Sequence, residues 1–157
     1  MFDEFGARLS QPESLRSVID AGRFGRKSKK GFYIYDEAGK KGGVDQSVYE
    51  IFAPGRARAE MSEDDIQRRH VYAMLNEAAR CLEEGIIRSP RDGDVGGVFG
   101  IGFPPFRGGP FRYMDTMGIE LFLQQLDDLN VRFPGRFEAA PILLQMARSN
   151  ARFYPQD

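Results

Sequence analysis

Residues 99–118 read FGIGFPPFRGGPFRYMDTMG, and this stretch decides the fold because it lies between two segments with helical patterns. Its glycines allow positive φ and close approach of backbones, and its prolines fix φ at about −65°. Each of its phenylalanines brings a large apolar surface that has to be buried. The stretch therefore predicts a shaped, buried turn, which either forms an interface or pocket or only completes the core at a corner between helices.

The segments on both sides of this turn predict a mostly α fold. Ser62, with Asp65 three residues later, begins the clearest helix, and Gly85 ends it. Ser89-Pro90, Pro110 and Pro141 begin three more helices. The long helix is expected to bury one apolar stripe, composed of Ile66, His70, Met74, Ala78, Cys81 and Leu82. Another helix is marked by Leu121, Phe122, Leu126 and Leu129. In the helix after Ser89, Gly96-Gly97 would let a neighbouring helix come close.

The first third of the chain is less regular. Residues 1–9 carry no capping signal, so we expect them to continue from a preceding segment. Residues 10–13 begin a short helix that Gly22 ends, and residues 31–35 are strand-like. Residues 36–44 are polar and glycine-rich, and Asp45 caps a short helix that reaches Phe52. A domain boundary is predicted within residues 54–60.

A basic loop precedes the strand-like residues. Its cations are Arg23, Arg26, Lys27, Lys29 and Lys30. The cluster could contact a phosphate. The alternative is a solvated loop, and the absence of stacking aromatics at a suitable spacing favours that interpretation.

Composition excludes several classes of function. Lys and Arg number 22 against 23 Asp and Glu, so a net charge of −1 gives no general attraction for nucleic acid. The single cysteine, Cys81, cannot form an internal disulfide, and we find no charged-then-apolar leader and no long apolar run. A reducing, cytosol-like compartment without a membrane span is expected.

Residue patterns for catalysis or cofactor binding are also missing. Gly100-Ile101-Gly102 follows a helical segment and precedes Phe-Pro-Pro, whereas a nucleotide loop joins a strand to a helix. His70 is the only histidine and has no acid or nucleophile at the spacing of a proton relay. One histidine and one cysteine cannot build a structural zinc site. We therefore predict no catalytic, cofactor-binding or metal-binding residue.

Carboxylates near helix ends are interpreted as caps. Asp92 and Asp94 lie near the start of one helix, and Asp115 shortly precedes the next. Negative charge is favoured at a helix N-terminus by the macrodipole. Capping therefore suffices as an explanation for all three.

Three motifs resemble one family. They are AGRFGRKSKKGFYIY at 21–35, NEAARCLEEG at 76–85 and GIGFPPFRGGPFRY at 100–113. They are similar to the C-terminal region of fatty acid oxidation complex alpha subunits, which are multifunctional enoyl-CoA hydratases and 3-hydroxyacyl-CoA dehydrogenases. The resemblance covers nearly the whole chain. Lys29 stands where that family often has glycine.

The resemblance implies a helical 3-hydroxyacyl-CoA dehydrogenase C-terminal domain, like the C-terminal domain of 6-phosphogluconate dehydrogenase. Residues 1–55 would be the tail of a first helical domain, and residues 56–157 a second one. The parent enzyme of fatty acid β-oxidation would use NAD, with a catalytic histidine and glutamate in a Rossmann domain that this chain lacks. His70 does not replace that histidine, so the chain alone is expected to be inactive.

The resemblance also implies partners and a supporting role. The partners would be the Rossmann and hydratase modules of the same polypeptide, a thiolase beta subunit and, through the parent, acyl-CoA. The compartment would be a bacterial cytoplasm, with the mitochondrion as the alternative. Candidates for packing against other domains are Phe103, Pro104, Phe106 and Phe111. The competing hypothesis is a stand-alone helical module that binds CoA-like anions or a protein partner through the basic loop.

Overall fold

The computed structural model describes residues 12–57 and 59–155. The chain divides into two compact units, Met1–Ala59 and Glu60–Asp157. This division falls within residues 54–60. The assignment of the two units to two particular dehydrogenase domains stays a prediction. Residues 1–11, which include the first two residues of the predicted helix start, lie outside the described residues.

From residue 12 onward, the first unit joins two short helices to a small hairpin. Its elements are α1 (Glu13–Asp20), a 3₁₀ turn (Arg26–Ser28), β1 (Tyr33–Tyr35), β2 (Lys41–Val44) and α2 (Val48–Phe52). The strands are antiparallel, with Tyr33 opposite Val44 and Tyr35 opposite Lys41, so the register shifts between the two pairs. The strand-like character of residues 31–35 is confirmed. The partner strand β2 was not predicted, because two glycines in a polar segment give no strand pattern.

The second unit is a bundle of five helices. These are α3 (Glu63–Glu83), α4 (Pro90–Ile101), α5 (Pro110–Met117), α6 (Ile119–Arg132) and α7 (Pro141–Ser149), with a 3₁₀ turn at Pro105–Arg107. The hydroxyls of Ser62 and Ser89 accept the backbone N–H groups of Asp65 and Asp92, each at 3.1 Å. The predicted helix starts and the mostly α fold are confirmed.

The buried face of α3 differs from the predicted stripe. Its buried residues are Leu75, Asn76 and Ala79, whereas Ile66 and His70 are exposed. Because Asn76 is polar, the face that contains it did not look apolar in the sequence, and the buried face was therefore not predicted. Its amide is satisfied inside the bundle, because it donates to the carbonyl of Glu138 and accepts the N–H of Ala140, both at 2.8 Å.

The core of the second unit surrounds Phe111, whose side chain has no exposed surface. Other fully buried large side chains in it are Leu75, Met114, Phe122, Leu126 and Leu143. The rings of Phe111 and Phe153 meet edge to face, with their centroids 4.9 Å apart. Within the described ranges, no helix is both long enough and apolar enough to cross a membrane.

Candidate interface at the corner between α4 and α5

Two glycines of α4 let α5 approach closely. A Cβ on Gly93 would overlap the ring of Phe111, and a Cβ on Gly97 would lie 2.8 Å from Cδ of Pro110. The glycines that admit α5 are therefore four residues apart on one face of the helix. The predicted close approach is confirmed at Gly97. It is wrong at Gly96, where nothing lies within 4 Å of such an atom, and Gly93 was missed.

Asp94 is a buried carboxylate that caps α5 from the neighbouring helix. Oδ1 accepts the N–H of Phe111 at 2.7 Å, and Oδ2 accepts the N–H of Arg112 at 3.3 Å and the hydroxyl of Tyr154 at 2.6 Å. The carboxylate thus serves the helix that follows α4, rather than α4 itself. Burial raises the pKa of Asp94, and these hydrogen bonds oppose the rise.

The segment after α7 is fastened to the same corner. Both carboxylate oxygens of Asp115 accept backbone N–H groups, from Phe153 at 3.0 Å and from Tyr154 at 2.9 Å. The guanidinium of Arg112 lies 4.0 Å from the centre of the Tyr154 ring. Burial and the Asp94 carboxylate raise the pKa of the Tyr154 hydroxyl, which therefore keeps its proton and acts as a hydrogen-bond donor. Asp115 holds this segment, whereas the sequence assigned it to a helix start.

The four predicted packing residues divide into two pairs. Phe103 is 4% exposed and Phe111 is fully buried, so both belong to the core of this unit. Phe106 is 82% exposed, and Pro104 is also exposed. The predicted burial of the turn is therefore found within this unit for Phe103 and Phe111 only, because the 3₁₀ turn places the Phe106 ring at the surface, near Arg107. Packing of these residues against other domains stays a prediction.

The basic loop lies in the first unit, and one of its cations is not available to an anion. Arg23 is buried and donates to Asp45 at 2.8 Å, to the carbonyl of Gly31 at 3.0 Å and to the Ser47 hydroxyl. The prediction that Arg23 contacts an anion is therefore corrected. Its guanidinium is used by hydrogen bonds that hold the hairpin to the start of α2. Lys29 forms an exposed ion pair with Glu37.

The other four cations of the loop are exposed; Lys29 is paired with Glu37, and Arg26, Lys27 and Lys30 have no ion pair among the described residues. Contact with an anion through them stays a prediction. Among residues 12–57 and 59–155, no three His, Cys, Asp or Glu side chains converge on a metal-sized site. The described residues of the corner provide a helix cap, from Asp94 to α5, and packed aromatic rings.

Comparison with known proteins identifies the family. The model of the 3-hydroxyacyl-CoA dehydrogenase C-terminal domain matches residues 66–153, which include α4, α5 and most of the segment fastened by Asp115. The chain belongs to this family. The matched residues lie within the second unit, and the resemblance inferred from the sequence motifs is confirmed.

Curated relatives extend the similarity into the first unit. The fatty acid oxidation complex subunit alpha of Vibrio vulnificus is 48% identical over 151 residues, which are 96% of this chain and 21% of that protein. The corresponding subunits of Shewanella amazonensis and Idiomarina loihiensis are 48% and 47% identical, again over 96% of this chain and 21% of their own lengths. The chain therefore spans about a fifth of the length of these relatives.

Sequence reasoning missed Gly93, Arg112 and Tyr154 at the corner. A usable signal existed for Gly93, because Gly93 and Gly97 are spaced four residues apart in a helix that precedes Pro110-Phe111. No local signal pointed to Tyr154. It lies 60 residues after its hydrogen-bond partner.

Proposed function

We propose that this chain is the C-terminal helical module of a fatty acid β-oxidation enzyme. The complete enzyme would oxidise 3-hydroxyacyl-CoA with NAD and hydrate enoyl-CoA, and its reacting groups would lie in other modules. The family match over residues 66–153 carries this proposal. The relatives' printed name, fatty acid oxidation complex subunit alpha, supplies the metabolic setting.

The role proposed for the module is structural. Its outward surface beside the corner carries large exposed apolar side chains, with Phe99 86%, Phe106 82% and Ile101 69% exposed. Such surfaces are typical of sites where another protein surface docks. The proposed partners are the Rossmann and hydratase modules of the same polypeptide and a thiolase beta subunit, in a bacterial cytoplasm. NAD and acyl-CoA would bind to the complete enzyme.

Complementation tests this proposal. The Vibrio vulnificus relative without its final fifth is mixed with this chain, and NAD reduction is followed with a 3-hydroxyacyl-CoA substrate. We expect no turnover from this chain alone, little from the shortened relative and a restored rate from the mixture. Restoration requires docking, so Phe99→Ser with Phe106→Ser should reduce it. Leu121→Ser with Val131→Ser, also at exposed apolar positions, is the matched control.

Two results would contradict the proposal. Turnover by this chain alone would show that it carries the reacting groups. If the mixture gives no rate above the shortened relative, although both proteins are folded, the module does not act by docking.

A second candidate function rests on the exposed cations of the basic loop. Arg26, Lys27 and Lys30 could bind the phosphates of CoA in a stand-alone module, or an acidic protein partner. Titration with CoA at rising ionic strength tests this candidate, because an electrostatic contact weakens with added salt. The triple variant Arg26→Gln, Lys27→Gln and Lys30→Gln should abolish the binding. Equal binding by this variant would exclude the loop.

A further inference from the structure

A preformed groove of about 350 Å³ lies on the second unit, away from the corner. Residues of α6, the segment before α7 and α7 itself line it. Its apolar lining includes the buried side chains of Leu126 and Phe137, and Leu144, on its rim, is 43% exposed. The groove is large enough for one or two large side chains and lies near the lower end of the volumes of ligand sites, about 300 Å³.

Hydrogen bonds fix one wall of the groove. The side-chain oxygen of Asn130 accepts the N–H groups of Gly135 at 3.1 Å and Phe137 at 3.3 Å. Asn76 fixes the next residues through Glu138 and Ala140, as described above. Binding here would therefore not require the wall to be ordered first, which lowers the entropic cost of occupancy.

Two acidic residues, Asp127 and Glu138, are among those that line the groove, and both are exposed. Neither carboxylate forms a hydrogen bond or an ion pair with any residue in the described part of the chain. Arg80 approaches only the backbone carbonyl of Glu138, at 2.6 Å. The groove thus has two acidic side chains without an ion-pair partner among the described residues, beside an apolar floor.

We propose that this groove binds a basic amphipathic peptide segment of a partner protein. A leucine or phenylalanine of the segment would contact Leu126 and Phe137, and flanking lysines or arginines would pair with Asp127 and Glu138. Apolar contact supplies the area, and the complementary charges set the orientation of the segment. This site does not depend on the enzyme proposed above, and it uses none of the corner residues.

A synthetic peptide that alternates leucine and lysine pairs and carries one tryptophan serves as the probe. The chain has no tryptophan, so the emission reports the peptide alone. We expect binding by the full chain and amide chemical-shift changes grouped at Leu123, Asp127, Phe137 and Leu144. Asp127→Asn with Glu138→Gln should raise Kd about tenfold, since each exposed ion pair contributes modestly. Leu144→Ser should also weaken binding.

The control is Glu60→Gln with Glu120→Gln, which removes the same charge at exposed positions outside the groove. Its Kd should stay within about twofold of the unmodified chain, because neither of these residues lines the groove. The proposal is overturned if the two double variants weaken binding equally, which would show only general attraction to an acidic unit. It is also overturned if the folded chain does not bind the probe or if the shift changes lie outside the groove.

Discussion

The hydroxyl of Tyr154 donates a 2.6 Å hydrogen bond to Oδ2 of Asp94, sixty residues earlier in the chain. The same carboxylate accepts the first N–H groups of α5. One buried side chain of α4 therefore joins α5 and the segment after α7. This relationship makes the corner a single cooperative cluster.

Removal of the Tyr154 hydroxyl should destabilise the second unit. Tyr154→Phe leaves Asp94 buried with only its backbone donors, and a hydrogen bond to a charged group contributes about 1.5–3 kcal/mol. We expect a loss of about that size in the free energy of unfolding, measured with urea. Tyr113→Phe is the control, since no described residue hydrogen-bonds to that hydroxyl, and an equal loss in both variants would contradict the role of Asp94.

Two glycines of α4 should respond in opposite directions to alanine. Gly93→Ala places a methyl group against the Phe111 ring and should cost about 1–3 kcal/mol of stability. Gly96→Ala meets open space and should stabilise the helix by up to about 1 kcal/mol. Thermal unfolding of both variants measures these changes in stability. If Gly93→Ala leaves stability unchanged, α5 does not pack against α4 as described.

Two phenylalanines of the turn should differ strongly. Phe103→Ala removes a buried ring that packs beside Tyr113 and should cost about 3–5 kcal/mol. Phe106→Ala changes an exposed ring and should alter stability by less than about 0.5 kcal/mol. Urea unfolding of the two variants gives the comparison. A large loss at Phe106 would show that this ring is buried in the folded chain.

Lys29→Gly should stabilise the first unit. Lys29 adopts a left-handed conformation with φ 55°, which costs a non-glycine residue about 1–2 kcal/mol. Glycine relieves this strain but loses more backbone entropy, so the expected net gain is about 0.5–1 kcal/mol. Loss of the exposed pair with Glu37 subtracts little. Lys27 has no such strain to relieve, so Lys27→Gly should destabilise the first unit. Thermal unfolding of both variants gives the comparison, and equal changes in stability would exclude strain at Lys29.

Acid should weaken the first unit through Asp45. The Ser47 hydroxyl and the Arg23 guanidinium hold the pKa of Asp45 at about 2, although burial opposes them. A carboxyl with a depressed pKa stabilises the fold fully above its unfolded value of about 4. That contribution disappears as the pH falls through about 2. Methyl NMR signals of Val18 and Val48 should follow this loss between pH 5 and about 1.5.

Asp45→Asn provides the control for the acid transition. It should be less stable at pH 7, because Arg23 is then buried without its anionic partner. Its Val18 and Val48 signals should change less between about pH 4 and 2. An unchanged acid midpoint in this variant would assign the transition to other carboxyls.

The predictable parts of the fold are those encoded by local signals. Ser62, Ser89 and Pro110 mark helix starts that depend on neighbouring residues only, and the structure confirms each of them. The family was also predictable, because its motifs are contiguous. The buried face of α3 was not predictable. Leu75 and Ala79 are one helical turn apart, as are Ile66 and His70, and only packing against the other helices decides which pair is buried.

The candidate interface was predictable only in part. The glycines and prolines of residues 99–118 indicated a sharp turn, but they did not indicate which rings face inward. Phe103 and Phe106 are chemically identical, but Phe106 lies within the 3₁₀ turn and Phe103 precedes it, so their environments differ. The hydrogen bonds that Tyr154 donates to Asp94 and Asp115 join residues distant in sequence, so no local pattern could reveal them.

The fastening of residues 153 and 154 to α4 and α5 has a consequence for biosynthesis. During translation, α4 and α5 leave the ribosome well before Tyr154. When Asp94 emerges, the residue that donates one of its hydrogen bonds has therefore not yet been synthesised. The five-helix bundle can therefore reach its final packing only after residue 154 has cleared the exit tunnel. Until then Asp94 lacks the hydroxyl donor that Tyr154 supplies in the folded chain.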